Sequence, residues 1–135
     1  MLAQLLVVAA FVVAQTAEPD APARVTQREF KRLRAAQSIL VVDTRIANTY
    51  RAGHIPGALS LPVEGASWPP EYEKAVETLK AATKPVIVYC GCVADANAVR
   101  AARLLKDAGV RDVRVLTGGW VEWFNGGNRV AKGTK

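Results

Sequence analysis

The sequence predicts an α/β domain in which a parallel sheet is covered by helices on both faces. Short apolar runs rich in Val and Ile alternate along the chain with longer stretches whose apolar residues recur at helical spacing. Parallel strands are buried on both faces and therefore appear as continuous apolar runs, which is the pattern here. The 135 residues, of which 50% are hydrophobic, fit one domain with a single core.

The first residues have the layout of a secretory signal peptide. Residues 5–14 are apolar and uncharged, and Gln15, Thr16 and Ala17 separate them from the first charge at Glu18. The apolar run is shorter than the roughly 18 to 20 residues that span a bilayer. Because no Lys or Arg precedes it, an uncleaved membrane anchor is the alternative. We expect a protein exported to the periplasm or secreted, with a signal peptide or anchor at 1–17, a linker at 18–24, the domain at 25–127 and a basic tail at 128–135.

The first helix of the domain is predicted at residues 26–36. Thr26 and Glu29 have the spacing of a capping box, and Val25 and Phe30 have that of a hydrophobic staple. The apolar run at 39–42 then predicts a strand. Polar groups that follow a parallel strand often line a site, and three follow this one: Asp43, Thr44 and Arg45.

Glycine and proline residues predict a rigid turn at 53–58, and residues 59–61 predict a short strand after it. A helix is predicted at 71–82, where four apolar residues recur at helical spacing. The β-branched run at 85–90 predicts a further strand, which ends at Cys90.

The remaining elements repeat the same alternation. A helix is predicted at 95–108, and Gly109 is suited to its C-terminal end. A strand at 113–116 follows, and then a glycine turn leads into a short helix at 120–124.

The charge distribution argues against a nucleic-acid partner. The formal net charge is +6, but the Lys and Arg residues are interspersed with Asp and Glu and form no patch with interleaved aromatic side chains. The charge therefore predicts solvated helix faces with a mild preference for anions.

The two cysteines of the chain, Cys90 and Cys92, lie where a strand gives way to a helix. A free thiol titrates at about pH 8.5, so a reactive thiolate needs stabilisation. Backbone N–H groups and the positive end of a helix dipole supply it at such a position. The placement of the cysteines predicts sulfur chemistry.

Four motifs, in order and at fitting intervals, resemble those of rhodanese-like domains. They are Val41-Val42-Asp43-Thr44-Arg45, Tyr50-Arg51-Ala52-Gly53-His54-Ile55-Pro56-Gly57-Ala58, Val86 to Cys90, and Leu116-Thr117-Gly118-Gly119-Trp120 followed by Trp123. The resemblance implies a small doubly wound domain with a five-stranded parallel sheet. It also implies a sulfurtransferase in which Cys90 accepts sulfane sulfur as a persulfide.

The same resemblance implies a small sulfur donor, such as thiosulfate or a persulfide, and a thiol or cyanide as the acceptor. Five residues match positions that support the site structurally: Asp43, Arg45, His54, Gly118 and Gly119. A Cys–His catalytic pair is conceivable, but the turn that holds His54 favours a structural role. Nothing in the sequence calls for a cofactor, and Cys90, Cys92 and His54 fall short of a four-ligand zinc set.

The loop after Cys90 departs from the family pattern. Active rhodaneses carry Cys-x-x-Gly-x-Arg followed by Ser or Thr, and the arginine helps to hold anionic donors. Here the helix register places Asn97 at the arginine position and Ala98 at the hydroxyl position. The Asp95 carboxylate would oppose a nearby anion. The expected active-site loop comprises Gly91, Cys92, Val93, Ala94, Asp95, Ala96 and Asn97.

The lengthened loop leaves two candidates for the nucleophile. Counted from the strand, Cys90 is at the catalytic position, whereas counted back from Ala98 the usual interval reaches Cys92. Strand register is set by core packing while loop length varies, so we favour Cys90. Cys92 is then an alternative nucleophile or a resolving thiol. The pair can also close a readily reduced disulfide in an oxidising compartment.

These features favour an exported sulfurtransferase that moves sulfane sulfur through a cysteine persulfide. A thiol–disulfide redox protein that uses Cys90 and Cys92 is an alternative. A rhodanese-like binding module without activity is another, for which the missing loop arginine argues.

Overall fold

The computed structural model describes residues 9–14, 20–63, 65 and 67–134. Within these residues, five strands alternate with five helices, and 3-10 turns at Pro70–Tyr72 and Val93–Asp95 precede the third and fourth helices. In chain order the elements are β1 (Ala23–Val25), α1 (Gln27–Ala35), β2 (Leu40–Asp43), α2 (Ala47–Ala52), β3 (Leu59–Ser60), α3 (Glu73–Lys80), β4 (Val86–Tyr89), α4 (Ala96–Ala108), β5 (Val113–Leu116) and α5 (Gly119–Asn125).

The strands form one sheet in the order β1-β5-β4-β2-β3, and every pairing is parallel. Strand β4 lies at the centre, and all four of its residues are buried. The predicted five-stranded parallel sheet is confirmed.

Helices cover both faces of the sheet, which makes the domain doubly wound. Helices α3 and α4 pack on one face, where Val86 and Val88 of β4 contact Leu105 within a shared apolar cluster. Helices α1, α2 and α5 pack on the other face, where Ile87 and Tyr89 join a second cluster. Alternate residues of β4 point to opposite faces, so Cys90 continues the α3 and α4 side.

Helix α1 begins as its capping box predicts. The Thr26 hydroxyl accepts a hydrogen bond from the Glu29 N–H at 3.1 Å, which satisfies one of the free N–H groups of the first turn. Phe30 is fully buried against Trp123 of α5, with the two rings edge to face. The predicted helix at 26–36 is confirmed to within one residue at each end.

Two elements were not predicted. Strand β1 includes Ala23 and Arg24, which the sequence placed in the linker, and only Val25 of this strand is buried. Helix α2 spans six residues without a side-chain cap, and Tyr50 is its one buried residue. Each element is too short to show a period, and β1 is defined by its pairing with β5.

Other boundaries shift by a few residues because 3-10 turns take the place of a first helical turn. The predicted helix at 71–82 becomes Pro70–Tyr72 followed by α3, and the one at 95–108 becomes Val93–Asp95 followed by α4. Gly109 ends α4 with a φ of 108°, as expected for a glycine after the last helical residue.

The two ends of the chain differ in how they contact the domain. Phe11, Val12 and Val13 are exposed, and no helix among the described residues is long and apolar enough to cross a membrane. The rest of the predicted signal segment, 1–8 and 15–17, lies outside the described residues. The C-terminal tail instead folds back, since Ala131 pairs with His54 through two backbone hydrogen bonds of 2.9 Å.

Candidate active site

Both cysteines lie at the carboxyl end of β4, where the central position of the strand gives them neighbours on either side. Strand β2 ends beside them at Asp43, and β5 leads into the turn through Gly118 and Gly119. In parallel α/β sheets, ligands bind beyond the carboxyl ends of the strands. The predicted site residues from three strands therefore meet at the edge where a site is expected.

Cys90 and Cys92 are joined by a disulfide, with 5.7 Å between their Cα atoms. Cys90 is 1% exposed and belongs to the apolar cluster on the α4 side of the sheet. Cys92 is only partly buried. The two sulfurs therefore share a bond but differ in their access to solvent.

The segment after Cys92 turns sharply into α4. Ala94 and Asp95 have φ values of 53° and 57°, in the left-handed region that costs a residue with a side chain about 1 kcal/mol or more. This turn brings the Asn97 N–H to 3.2 Å from the Cys92 Sγ atom. An N–H from the first turn of a 13-residue helix would stabilise a thiolate at that sulfur once the disulfide is reduced.

The Asp95 carboxylate does not act as the unbalanced anion that the sequence suggested. It is 6% exposed, and its Oδ2 atom accepts a hydrogen bond from Arg24 Nη1 at 2.9 Å. The same oxygen accepts one from the Gly118 N–H at 3.2 Å. Asp95 thus links the cysteine loop to β1 and to the glycine turn, and Arg24 balances its charge.

The glycine turn packs against the backbone of Cys90. Gly118 and Gly119 have φ values of 77° and 46°, and a Cβ atom on Gly119 would overlap the Cys90 carbonyl oxygen. That oxygen accepts a hydrogen bond from the Trp120 N–H at 2.8 Å. Glycine is required at 119 for this close approach, and the approach holds the Cys90 backbone in place.

Asp43, Arg45 and Tyr89 form a buried polar cluster beside the cysteines. Arg45 donates to the Asp43 carboxylate through Nε and Nη2, the shortest contact being 2.6 Å, and Nη2 also donates to the Gly53 carbonyl at 2.7 Å. The Tyr89 hydroxyl donates to Asp43 at 2.7 Å. Burial, followed by the charge of Asp43, raises the pKa of Tyr89, so the hydroxyl remains a donor.

His54 has partners other than the cysteines. It is 1% exposed, its ring stacks on Tyr50 with 3.7 Å between centroids, and its Nδ1 atom lies 2.8 Å from the Tyr50 carbonyl oxygen. This arrangement supports the structural role that its turn suggested. Within the described part of the chain, no group of three or more His, Cys, Asp or Glu side chains is placed to bind a metal.

An open pocket of about 330 Å³ lies over the disulfide. Arg45 is the one cationic residue among the described residues that line it, and the Arg45 guanidinium stacks on Trp120 at 4.3 Å from the ring centroid. Asn97 also lines the pocket, and its Oδ1 atom accepts a hydrogen bond from the exposed Arg100 at 2.6 Å. The pocket is completed by Ile46, Thr49, Cys90, Gly91 and Cys92.

Some contributors to the site were missed in the sequence. Arg24 lies in an unpredicted strand, and its partner Asp95 is 71 residues away along the chain. Ile46 and Thr49 line the pocket from around the unpredicted helix α2. The motif Asp43-Thr44-Arg45 was the available signal for the last two, because both lie within four residues after it.

Fold and site together define a doubly wound α/β domain with a cysteine pair at the end of its central strand. The profile of the rhodanese-like domain matches residues 26–125, which is well over half of the chain. The chain belongs to the rhodanese-like domain family.

One known protein and two solved structures illustrate what this chain is similar to. The HTH-type transcriptional regulator Rv0324 of Mycobacterium tuberculosis is 35% identical over 112 residues, which are 81% of this chain and 45% of that protein. This chain therefore spans less than half of that relative. The solved structure of BH2092 protein from Bacillus halodurans has a TM-score of 0.66 at 28% identity, covering 84% of this chain and 78% of that one. The human single-domain sulfurtransferase TSTD1 has a TM-score of 0.58 at 26% identity, covering 78% of this chain and 96% of that one.

Proposed function

We propose that this chain is a sulfurtransferase that carries sulfane sulfur as a cysteine persulfide. The observation that carries the proposal is the cysteine pair under an open pocket, with a helix N–H directed at the sulfur of Cys92. A sulfur nucleophile must be a thiolate, and this environment favours one. Membership of a family that includes sulfurtransferases supports the same chemistry.

The chemistry requires a reduced site. A thiol reductant first opens the Cys90–Cys92 disulfide. One cysteine thiolate then attacks the outer sulfur of the donor, the S–S bond of the donor breaks, and the leaving group departs with the electron pair. The persulfide that remains passes its outer sulfur to a thiol or cyanide acceptor.

The electrostatics of the pocket favour persulfide donors over thiosulfate. Arg45 is the cation that lines the pocket, and Asp43 already balances its charge. Thiosulfate places two negative charges on the group that reacts, whereas the persulfide end of a donor places one there, so the persulfide end needs less compensation in the pocket. We expect faster loading from glutathione persulfide than from thiosulfate at equal concentration.

Intact mass measured on single-cysteine variants tests the proposal. Reduced full-length Cys90→Ser and Cys92→Ser are incubated separately with glutathione persulfide. At least one should gain the mass of one sulfur atom, because the chain has no other cysteines. The double variant, Cys90→Ser/Cys92→Ser, is the matched control and should gain none. Absence of sulfur from both single variants contradicts the proposal.

A thiol–disulfide redox protein is the second candidate, and the disulfide itself favours it. In that case the reduced chain would exchange electrons with a protein disulfide in the absence of any sulfur donor. A reduction potential well above about −300 mV, together with no sulfur uptake, would select this function over sulfur transfer.

Export of the protein is also part of the proposed function. Phe11, Val12 and Val13 are 93%, 88% and 80% exposed, so this apolar stretch has no partner within the domain. A signal or anchor segment accounts for such a stretch. Cell fractionation with N-terminal sequencing should find an extracytoplasmic protein whose N-terminus follows Ala14 or Ala17, or a membrane-bound full-length form. Full-length protein in the cytoplasm would contradict export.

A further inference from the structure

The two cysteines have environments suited to different chemical steps. Both cysteines line the pocket, but Cys92 is partly exposed and receives the Asn97 N–H at 3.2 Å. Cys90 is 1% exposed and packs in the apolar cluster with Val88 and Ala98. Solvent access and the N–H that can stabilise a thiolate therefore both favour Cys92 as the sulfur that reacts with a donor.

We propose that Cys92 accepts the sulfane sulfur and that Cys90 then displaces it as hydrosulfide, closing the Cys90–Cys92 disulfide. The proposal rests on the proposed function, since it requires a persulfide at this site. It adds a second activity, the reductive release of sulfide, to the transfer of sulfur. It also assigns the nucleophile differently from strand register, which favoured Cys90.

The loading step transfers one sulfur atom. The Cys92 thiolate attacks the outer sulfur of a persulfide donor, R–S–SH, and a new S–S bond forms as the donor bond breaks. The donor leaves as the thiolate R–S⁻. The product is Cys92–S–SH, with its outer sulfur in the open pocket.

The resolving step needs a second thiolate within reach of the first. Cys90 attacks the inner sulfur, Cys92 Sγ, and hydrosulfide leaves with the electron pair of the broken bond and the persulfide proton. Two cysteine sulfurs are oxidised to the disulfide while the sulfane sulfur is reduced to sulfide. A 5.7 Å separation of the Cα atoms lies within the usual disulfide range, so the two sulfurs bond without a backbone shift.

The backbone contacts of Cys90 explain why it attacks the persulfide in the resolving step and does not accept sulfur in the loading step. Its carbonyl oxygen accepts the Trp120 N–H at 2.8 Å and lies against Gly119, where no side chain fits. These contacts hold Cys90 at the base of the site. A donor reaches Cys92 first, and Cys90 needs to reach only its neighbour.

The cycle closes when a thiol reductant reduces the disulfide. Two reductant thiols become one disulfide, and both cysteines return to thiols. Without that reductant the chain releases a single sulfide and stops. With it, sulfide release continues as long as donor is present.

The test follows sulfide and intact mass in a single turnover. Reduced full-length chain is freed of reductant and mixed with one equivalent of glutathione persulfide. Wild type should release one sulfide per chain and end two hydrogens lighter than the reduced protein. Cys90→Ser should keep one added sulfur and release sulfide at least about tenfold more slowly, and Cys92→Ser should load at least about tenfold more slowly than Cys90→Ser.

Controls separate chemistry from folding. Cys90→Ala repeats the measurement without burying a hydroxyl group in an apolar cluster, and near-ultraviolet circular dichroism checks that each variant is folded. Sulfide released from Cys90→Ser measures the background reaction with the glutathione that loading produces.

Three results would overturn the proposal, and each points to a different fault. If Cys92→Ser loads and Cys90→Ser does not, the roles are reversed. If wild type keeps the added sulfur and releases no sulfide, there is no resolving step. If no variant takes up sulfur, sulfurtransferase activity itself is absent, and the division of roles is overturned with it.

Discussion

Two polar regions lie side by side at the carboxyl edge of the sheet, and they are built in opposite ways. The cluster of Asp43, Arg45 and Tyr89 is buried, and each of its side chains makes at least one hydrogen bond within it. The cysteine loop has two residues in the left-handed region, and most of its residues are exposed, among them Val93 at 91%. We call the first region, Asp43, Arg45 and Tyr89, the floor of the site. The second region, the cysteine loop, carries the reactive sulfur atoms.

The contrast shows how a small domain can hold reactive sulfurs in a defined position. Satisfied buried hydrogen bonds make the floor resistant to rearrangement. The loop tolerates its backbone strain because Asp95, one of its two left-handed residues, is held by Arg24 of β1 and by the Gly118 N–H of the glycine turn. Substitutions in the floor should therefore affect stability most, and substitutions in the loop should affect chemistry most.

The largest effect is expected from Asp43→Ala in the floor. It removes the acceptor of Arg45 and Tyr89 and leaves a buried guanidinium without its counter-charge. We expect the free energy of unfolding to fall by about 3–5 kcal/mol in urea denaturation. Asp112→Ala is the control, because that carboxylate pairs with Arg114 at the surface and should cost below about 1 kcal/mol. Equal losses would show that the floor does not stabilise the domain.

The next effect tests the contact between the glycine turn and the backbone of Cys90. Gly119→Ala combines a positive φ with overlap of the new methyl group and the Cys90 carbonyl oxygen. We expect a loss of about 2–3 kcal/mol and slower sulfur loading. Gly127→Ala has a φ of 70° with nothing within 4 Å, so it isolates the backbone cost of about 1 kcal/mol. Equal losses for the two variants would mean that the turn does not press on Cys90.

Arg24→Ala is expected to be milder for stability. The Arg24 side chain is 44% exposed but that of Asp95 is only 9% exposed and keeps the Gly118 N–H, so the loss should cost about 1–2 kcal/mol in urea denaturation. Asp95 then retains its negative charge close to the cysteines, which should slow loading from glutathione persulfide severalfold in the mass assay. Arg114→Ala is the matched control, since its partner is exposed, and it should leave loading unchanged. Unchanged loading in Arg24→Ala would show that Asp95 does not influence the sulfurs.

The smallest effect is expected from Val93→Ser within the loop. Val93 is 91% exposed and is not among the residues that line the pocket. The free energy of unfolding of the Val93→Ser variant should change by less than about 0.5 kcal/mol, and its rate of sulfur loading should match that of wild type. A large drop in loading at unchanged stability would instead identify Val93 as a contact for the sulfur donor.

Sequence periodicity was sufficient for the elements that bury a regular face. Helices α1 and α4 follow their capping residues and apolar spacing, and β4 follows its β-branched run. It was insufficient for β1 and α2, each of which buries a single side chain. Such elements form because of the segments that they pack against, and the local sequence carries no pattern that predicts those contacts.

The same distinction applies to the site. Local order along the chain placed Cys90 and Cys92 at the end of β4 and the glycine turn after β5, because both follow directly from strand ends. It did not reveal that Arg24 balances Asp95, since that pair joins residues 71 apart. Its choice of Cys90 as nucleophile stays a prediction, because strand register carries no information on exposure or on N–H donors, on which the proposal for Cys92 is based.

The sequence by itself determined the alternation of strands and helices, the position of the thiols and the family, because these depend on local patterns and motif order. Only the tertiary structure decided that both cysteines line the pocket, with Cys90 buried in the core and Cys92 partly exposed. Those properties come from contacts between distant segments, and the turn at Ala94 and Asp95 that creates them is stabilised by β1 and the glycine turn. The physical reason is that the exposure and the charge balance of a residue depend on all its neighbours in space. Sequence periodicity contains information only on neighbours along the chain.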